Sequence, residues 1–166
     1  MATVVHTLNL PVASPILPAE AIAPQIKSST NRRYLLFDDT TPETCYWQFR
    51  MPANYTSGLT AKIQYTMASA TTGKVDFEVS VMAVSDGDGA DVETDSFDTV
   101  NSGSATVPGT AGLLDEISIT LTNADGVVAG DLVLISLARD ADDGTNDTAT
   151  GDAEVLTMTI QYDEVT

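Results

Sequence analysis

One cysteine, one histidine and one tryptophan occur in 166 residues. With Cys45 as the only thiol, no intramolecular disulfide can form, which suits synthesis in a reducing cytosol. One Cys and one His do not supply a tetrahedral zinc site. His6 lies close to the N-terminus, and nucleophilic catalysis needs an imidazole fixed against its nucleophile. The composition therefore points away from that chemistry and towards a chain that is not an enzyme. Basic residues are also scarce: seven Lys and Arg stand against 24 Asp and Glu, a net charge of −17. Residues 75–166 hold twenty acids and a single base, Arg139. Such a surface repels phosphate backbones, which excludes nucleic acid as a partner. No apolar run reaches the roughly 18 to 20 residues of a membrane span, so no membrane partner is expected. The N-terminus lacks a basic n-region, and no secretory leader is read there.

What the chain does have is alternation. Cys45, Trp47, Phe49 and Met51 alternate with polar neighbours, as do Leu59, Ala61, Ile63, Tyr65 and Met67, and then Val75, Phe77, Val79 and Val81. Ile117, Ile119 and Leu121 repeat the pattern, followed by Leu156, Met158, Ile160 and Tyr162. A period of two places one face in a core and the other in water. Tyr34 to Phe37 is a short apolar strand signal, Phe97 to Val107 a weaker and irregular one. Leu132 to Leu137 is nearly all apolar, as expected of a central strand covered on both faces or one lying at a subunit contact. Turn chemistry separates the runs, for example Pro108-Gly109-Thr110-Ala111-Gly112 and Asn123-Ala124-Asp125-Gly126. These signals predict an all-β chain, an eight-stranded antiparallel jelly-roll sandwich, because the long connections favour Greek-key crossings over a meander.

Ahead of the strands lies a different segment. Pro11, Pro15, Pro18 and Pro24 are four of the seven prolines, and the stretch they space is nearly uncharged. Proline fixes φ and removes a donor, so the stretch can be neither a regular helix nor a central strand. The reading divides the chain into an extended N-terminal arm, residues 1–32, and a β-domain, residues 33–166. The arm is expected to lie along another protein, with Leu10, Pro11, Pro15, Ile16, Leu17, Pro18, Pro24, Arg32 and Arg33 as its contact residues.

Other candidate chemistry is weaker. The loops Asp86 to Glu93 and Asp140 to Asp147 cluster hard oxygen ligands but lack EF-hand spacing, and are read as acidic turns. No catalytic, cofactor or metal residue is assigned. Trp47 shares a face with Cys45 and Phe49 and is read as core. Tyr46 and Tyr65 fall on opposite faces and make no shared sugar-stacking platform.

The wording of several segments resembles a family of small structural proteins of tailed bacteriophages. These are Phe37-Asp38-Asp39-Thr40-Thr41, Tyr46-Trp47-Gln48-Phe49, Met51-Pro52 and Met67-Ala68-Ser69-Ala70-Thr71-Thr72-Gly73. Ala129-Gly130-Asp131-Leu132, Arg139-Asp140-Ala141-Asp142-Asp143 and Gly151-Asp152-Ala153-Glu154 follow in the same order. The family is similar to jelly-roll head decoration, or cement, proteins. The resemblance implies a virion protein made in the host cytoplasm, trimeric on the outer face of the head, with the major capsid protein as partner. It implies no catalytic residues. The other function open to the same fold is a receptor- or carbohydrate-binding jelly-roll module of a tail fibre or spike. On this reading, a chain beginning at Arg33 should still fold and trimerise but no longer co-sediment with capsid shells.

Overall fold

The computed structural model describes residues 1–166, with every side chain but that of Glu20. Ten strands run along the chain: β1 (Thr3–Leu10), β2 (Gln25–Ser28), β3 (Arg33–Phe37), β4 (Glu43–Arg50) and β5 (Ser57–Met67) in the first half. β6 (Lys74–Val84), β7 (Asn101–Thr106), β8 (Asp115–Thr120), β9 (Leu132–Arg139) and β10 (Ala153–Val165) complete them. One sheet has the order β2-β3-β10-β5-β8, with β1 also paired to β10, and the other has the order β4-β9-β6-β7. Every named pairing is antiparallel. Consecutive strands from β3 onward alternate between the sheets except where β6 pairs with β7, and β10 returns beside β3. That path is the jelly roll, and its eight strands are β3 to β10. Among the described residues, no helix is long and apolar enough to cross a membrane.

The alternation read from the sequence is the alternation of burial. Cys45 and Trp47, Leu59 to Met67 at every second position, Val75 to Val81, and Ile117 to Leu121 all point into one core between the sheets. β9 is central in its sheet, paired on both sides by β4 and β6, but only one of its faces is covered: Val133, Ile135 and Leu137 are buried, while Leu132 and Leu134 on the other face are half-buried. The weak signal at Phe97 to Val107 resolves into a loop followed by the polar strand β7. Gly103 there faces β8 so closely that a Cβ would come within 2.8 Å of the Ile119 side chain.

Two expectations need correction. The strand count is ten rather than eight, because residues 1–32 contribute two strands of their own. The segment is also not a detached arm. Thr3 to Leu10 pair residue by residue with Val165 to Met158, so β1 lies on the edge of β10 beyond the stretch that β3 occupies. Gln25 to Ser28 pair with Leu36 to Arg33. The physical reason is the length of β10. Its thirteen residues outrun β3, and the exposed ladder from Met158 to Val165 needs a partner. From His6 onward the strand alternates in burial, with His6 and Leu8 half-buried, and Leu10 ends in the core at 4% exposure. Removing residues 1–32 would uncover both the β10 ladder and the space Leu10 fills. A chain beginning at Arg33 is thus expected to be destabilised before any binding is considered.

The end of the sandwich formed by the β3–β4, β5–β6 and β9–β10 loops is fastened by the one base of the acidic half. Arg139, on β9, is fully buried and faces Asp147 through two hydrogen bonds: Nε donates to Oδ2 at 2.9 Å and Nη2 to Oδ1 at 2.8 Å. Its remaining donors reach the carbonyls of Phe37, Gly151 and Ala149. Asp147 also accepts the Asp76 backbone N–H at 3.0 Å. One guanidinium therefore ties β3, β6 and β9 to the long β9–β10 loop, with its fork geometry fully used. The same loop rests on Gly73, whose φ of +90° suits glycine; a Cβ there would stand 2.8 Å from the backbone of Thr148 and Ala149.

Two substitutions measure these constraints by urea denaturation. Arg139→Met strands the buried Asp147 carboxylate and is expected to cost about 3–5 kcal/mol. Leu10→Ala is expected to cost about 2–5 kcal/mol, as a core truncation does, whereas a residue on a free arm would cost almost nothing.

Candidate functional site

Between β1 and β2 the proline-spaced segment forms a strap across the side of the sandwich. It leaves β1 at Leu10, crosses to the edge of the other sheet, and returns to β2. At the crossing Ile16 and Tyr46 exchange backbone hydrogen bonds, 2.7 Å and 2.9 Å, as an isolated antiparallel bridge on β4. Trp47 points inward from β4, and its indole Nε1 donates to the Pro11 carbonyl at 3.0 Å, which satisfies the only donor of a nearly buried ring. The prolines cost the strap no pairing, since it makes just this one bridge, and a short 3-10 turn, Glu20–Ile22, carries it to β2.

The nine residues expected to contact a partner fall into distinct environments. Leu10 and Pro24 are buried in this chain, and Pro15 and Pro18 are half-buried. Arg32 pairs with Glu154 on β10 and lies over the Tyr34 ring at 5.3 Å. Arg33 donates through Nε to Ser28 Oγ at 3.3 Å. Pro11, Ile16 and Leu17 remain exposed, Ile16 at 47% and Leu17 at 40%. Two residues outside the expected set join them: Ile22 at 46% and Ile26, on β2, at 39%. The strap thus buries its ends and, with β2, turns four branched aliphatic side chains outward.

Leu17, Pro18, Pro24 and Ile26 also wall an open cleft of about 560 Å³, with Glu43 at its rim. Burial, together with the charges of Asp38 and Asp152, raises the Glu43 carboxyl above its ordinary range, although the Asp38 N–H donates to it at 2.8 Å. Beyond the cleft, β2 ends the order of its sheet, so one side of its backbone is unpaired. A cleft of mixed polar and apolar lining, a carboxylate at its rim and an open strand edge are suited to an extended segment of another polypeptide carrying apolar and basic residues.

The residues weighed for other chemistry are engaged elsewhere. His6 stacks on Tyr162, centroids 5.1 Å apart, and lies 2.7 Å from Glu164 through Nε2. The Tyr162 hydroxyl donates to Asn54 Oδ1, which leaves the Asn54 amide N–H₂ to donate to Glu164 and assigns the His6 Nε2 proton to the same carboxylate. Those two hydrogen bonds hold the Glu164 carboxyl below the usual range. The cluster clasps β1 to β10. Cys45 is buried in the core, where desolvation drives its thiol pKa far upward. Trp47 and Tyr65 are core residues, and Tyr46 lies half-buried beneath the strap against Phe97, 5.7 Å between centroids. Among the described residues no aromatic side chain is exposed. Carboxylates gather in two groups near Arg139, Asp38–Asp39–Asp152 and Asp76–Asp140–Asp143.

No family model matches the sequence, and no curated protein matches it. Several solved structures are similar to it at low identity. The C-terminal CBM6 of LamC, a marine laminarinase from Zobellia galactanivorans, aligns over 93% of this chain and 98% of its own, at 12% identity and a TM-score of 0.44. A Paenibacillus sp. cycloisomaltooligosaccharide glucanotransferase, complexed with cycloisomaltoheptaose, aligns over 93% of this chain at 12% identity and a TM-score of 0.47, and this chain spans only 18% of that protein. A structure of infectious bursal disease virus, Gx strain, aligns over 96% of this chain and 32% of its own, at 8% identity and a TM-score of 0.43.

Proposed function

We propose that this chain is a virion structural protein, a decoration or cement protein that trimerises on the outer face of a tailed-phage head and bridges neighbouring subunits of the major capsid protein. The observation that carries the reading is the chemistry of the exposed apolar surface. Ile16, Leu17 and Ile22 on the pre-ordered strap and Ile26 on the adjoining β2 are exposed aliphatic side chains. Among the described residues no aromatic side chain is fully exposed, and Tyr34, Tyr46, Phe49, Tyr55 and Phe97 are half-buried, so the outward-turned aliphatics suit protein contact better than glycan recognition. The order of family-like segments along the β-domain supports the same reading.

The proposed mechanism is passive. A strap already fixed at both ends loses little conformational entropy on docking. Strand addition along the open edge of β2 would supply backbone hydrogen bonds, and the cleft would take an apolar side chain of the partner. Threefold repetition would turn weak contacts into avidity, because each subunit bound raises the effective concentration of the next. The acidic remainder of the surface would keep free copies from clumping and face away from the shell. No step requires catalysis, a cofactor, a nucleic acid or a membrane.

The test uses full-length chain and heads stripped of it. The double variant Ile16→Asp/Leu17→Asp changes exposed positions, so its unfolding free energy should stay within about 1 kcal/mol of the parent, each site contributing about 0.5. Co-sedimentation should nonetheless weaken at least about ten-fold, equivalent to ~1.4 kcal/mol per chain. Saturable copy number on heads and a three-chain mass in sedimentation support the proposal. Undiminished binding of the variant to heads would show that the strap is not the contact, and a clear hit on a glycan array with no affinity for heads would replace the proposal with the recognition-module reading.

A further inference from the structure

The outer face of the sheet β4-β9-β6-β7 carries a second constellation, at the end where the β9–β10 loop folds back. Asp76 on β6 and Asp140 and Asp143 in the loop bring one carboxylate oxygen each within 4.8 Å of one another. Oxygens bound to a common calcium ion at about 2.4 Å can be at most about 4.8 Å apart, so the spacing is within reach of one ion. Acidic loops gather like this without a ligand, and the sequence alone reads Asp140 to Asp147 as an acidic turn. Asp76 is what distinguishes this group. Its residue is only 4% exposed, and no donor reaches its carboxylate. No fully covered side-chain oxygen or nitrogen among the described residues lacks a partner, so the Asp76 oxygens keep a small opening to solvent while standing within reach of the cluster.

The surroundings make this costly. Glu78, two residues along the same face, adds a fourth negative charge close to Asp76, Asp140 and Asp143. Asp147 is next in space, but its charge is spent on Arg139. Lys74, exposed at the start of β6, is the one base acting on Asp143. Burial and these neighbours push the Asp76 carboxyl up to about 6. A buried carboxylate without a donor, beside three like charges, is a strong penalty that folded chains avoid unless something offsets it. Asp143 is held in place for a ligand role by the N–H groups of Thr145 and Asn146 and by the Asn146 amide, 2.8 to 3.0 Å. The Asp140 N–H donates to the Asp76 carbonyl at 3.2 Å, which fixes the loop against the strand.

We infer that Asp76, Asp140 and Asp143 form a calcium site, with Glu78 beside it and water completing the shell, which locks the β9–β10 loop onto β6. The donors are all hard oxygens, the class that selects calcium over softer metals. The other acidic group, Asp38–Asp39–Asp152, is half-exposed throughout and has no buried member like Asp76. It serves as the control.

The experiment titrates calcium chloride into full-length protein stripped with EDTA, by calorimetry, and follows melting with and without calcium. One ion per chain should bind and raise the melting temperature. Asp76→Asn should melt higher than the parent in EDTA, because it removes a repelled charge, yet lose the calcium response. Asp140→Asn, at a half-buried position that folding tolerates, should weaken binding at least about ten-fold, as expected when a charged ligand is lost. Asp152→Asn should keep parental binding. Absence of both heat and melting shift at millimolar calcium overturns the inference, as does binding that survives Asp76→Asn and Asp140→Asn or is lost in Asp152→Asn.

Discussion

The pairing of β1 with β10 is the constraint on which the rest of the molecule depends. β10 is flanked on one side by β5 over most of its length, but on the other β3 covers only Ala153 to Val155. Without β1, the ladder from Met158 to Val165 would be an open edge, with its carbonyls and N–H groups unpaired beside the core. Once β1 is seated, Leu10 is locked inside the sandwich and the chain must travel from there to β2 around the outside. The strap is the consequence of that journey. Its prolines suit a path that makes a single bridge, and its branched aliphatics face outward because the inward places are already taken by Trp47 and Tyr46. Adhesion, on this account, is a by-product of closing a sheet edge.

Charge arranges the opposite concern. The chain carries a large acidic excess, and most of it is solvated. At the end where the β9–β10 loop folds back, however, the protein buries ions on purpose. The Arg139–Asp147 pair uses all five guanidinium donors, so its desolvation is compensated by geometry as well as by charge. Asp76 lies one hydrogen bond away from that pair, through its backbone N–H, and has no such compensation within the chain. A satisfied ion pair and an unsatisfied acid are thus built on the same loop. A cation at the second would complete the logic of the first.

Much of this was legible in the residues. Strict alternation located β4, β5, β6, β8 and β10, and the continuous apolar run identified β9 as central. What the alternation could not convey was partner choice. Val4, His6, Leu8 and Leu10 do alternate, but the prolines that follow dominated the reading and made the segment look detached. β2 gave no signal at all: Gln25, Ile26, Lys27 and Ser28 are all exposed, and the strand exists because β3 offers an edge. Arg139 was conspicuous as a lone base among acids, yet nothing in the sequence marks a base as buried. Asp76 was read as the polar side of a strand, which it is; only the returning loop, distant in sequence, makes it a buried carboxylate. Ile22 and Ile26 escaped notice for a similar reason, since exposure on the strap follows from which neighbours claim the interior.

The central claim is that the strap, folded onto its own body and turned outward, is the face that meets the shell. A cryo-microscopy map of intact particles carrying this chain tests it most directly. The account predicts jelly rolls clustered around local threefold positions of the head, with Ile16, Leu17, Ile22 and Ile26 against capsid subunits. Density placing the chain on a tail fibre, or on the head with that strap open to solvent, would contradict it.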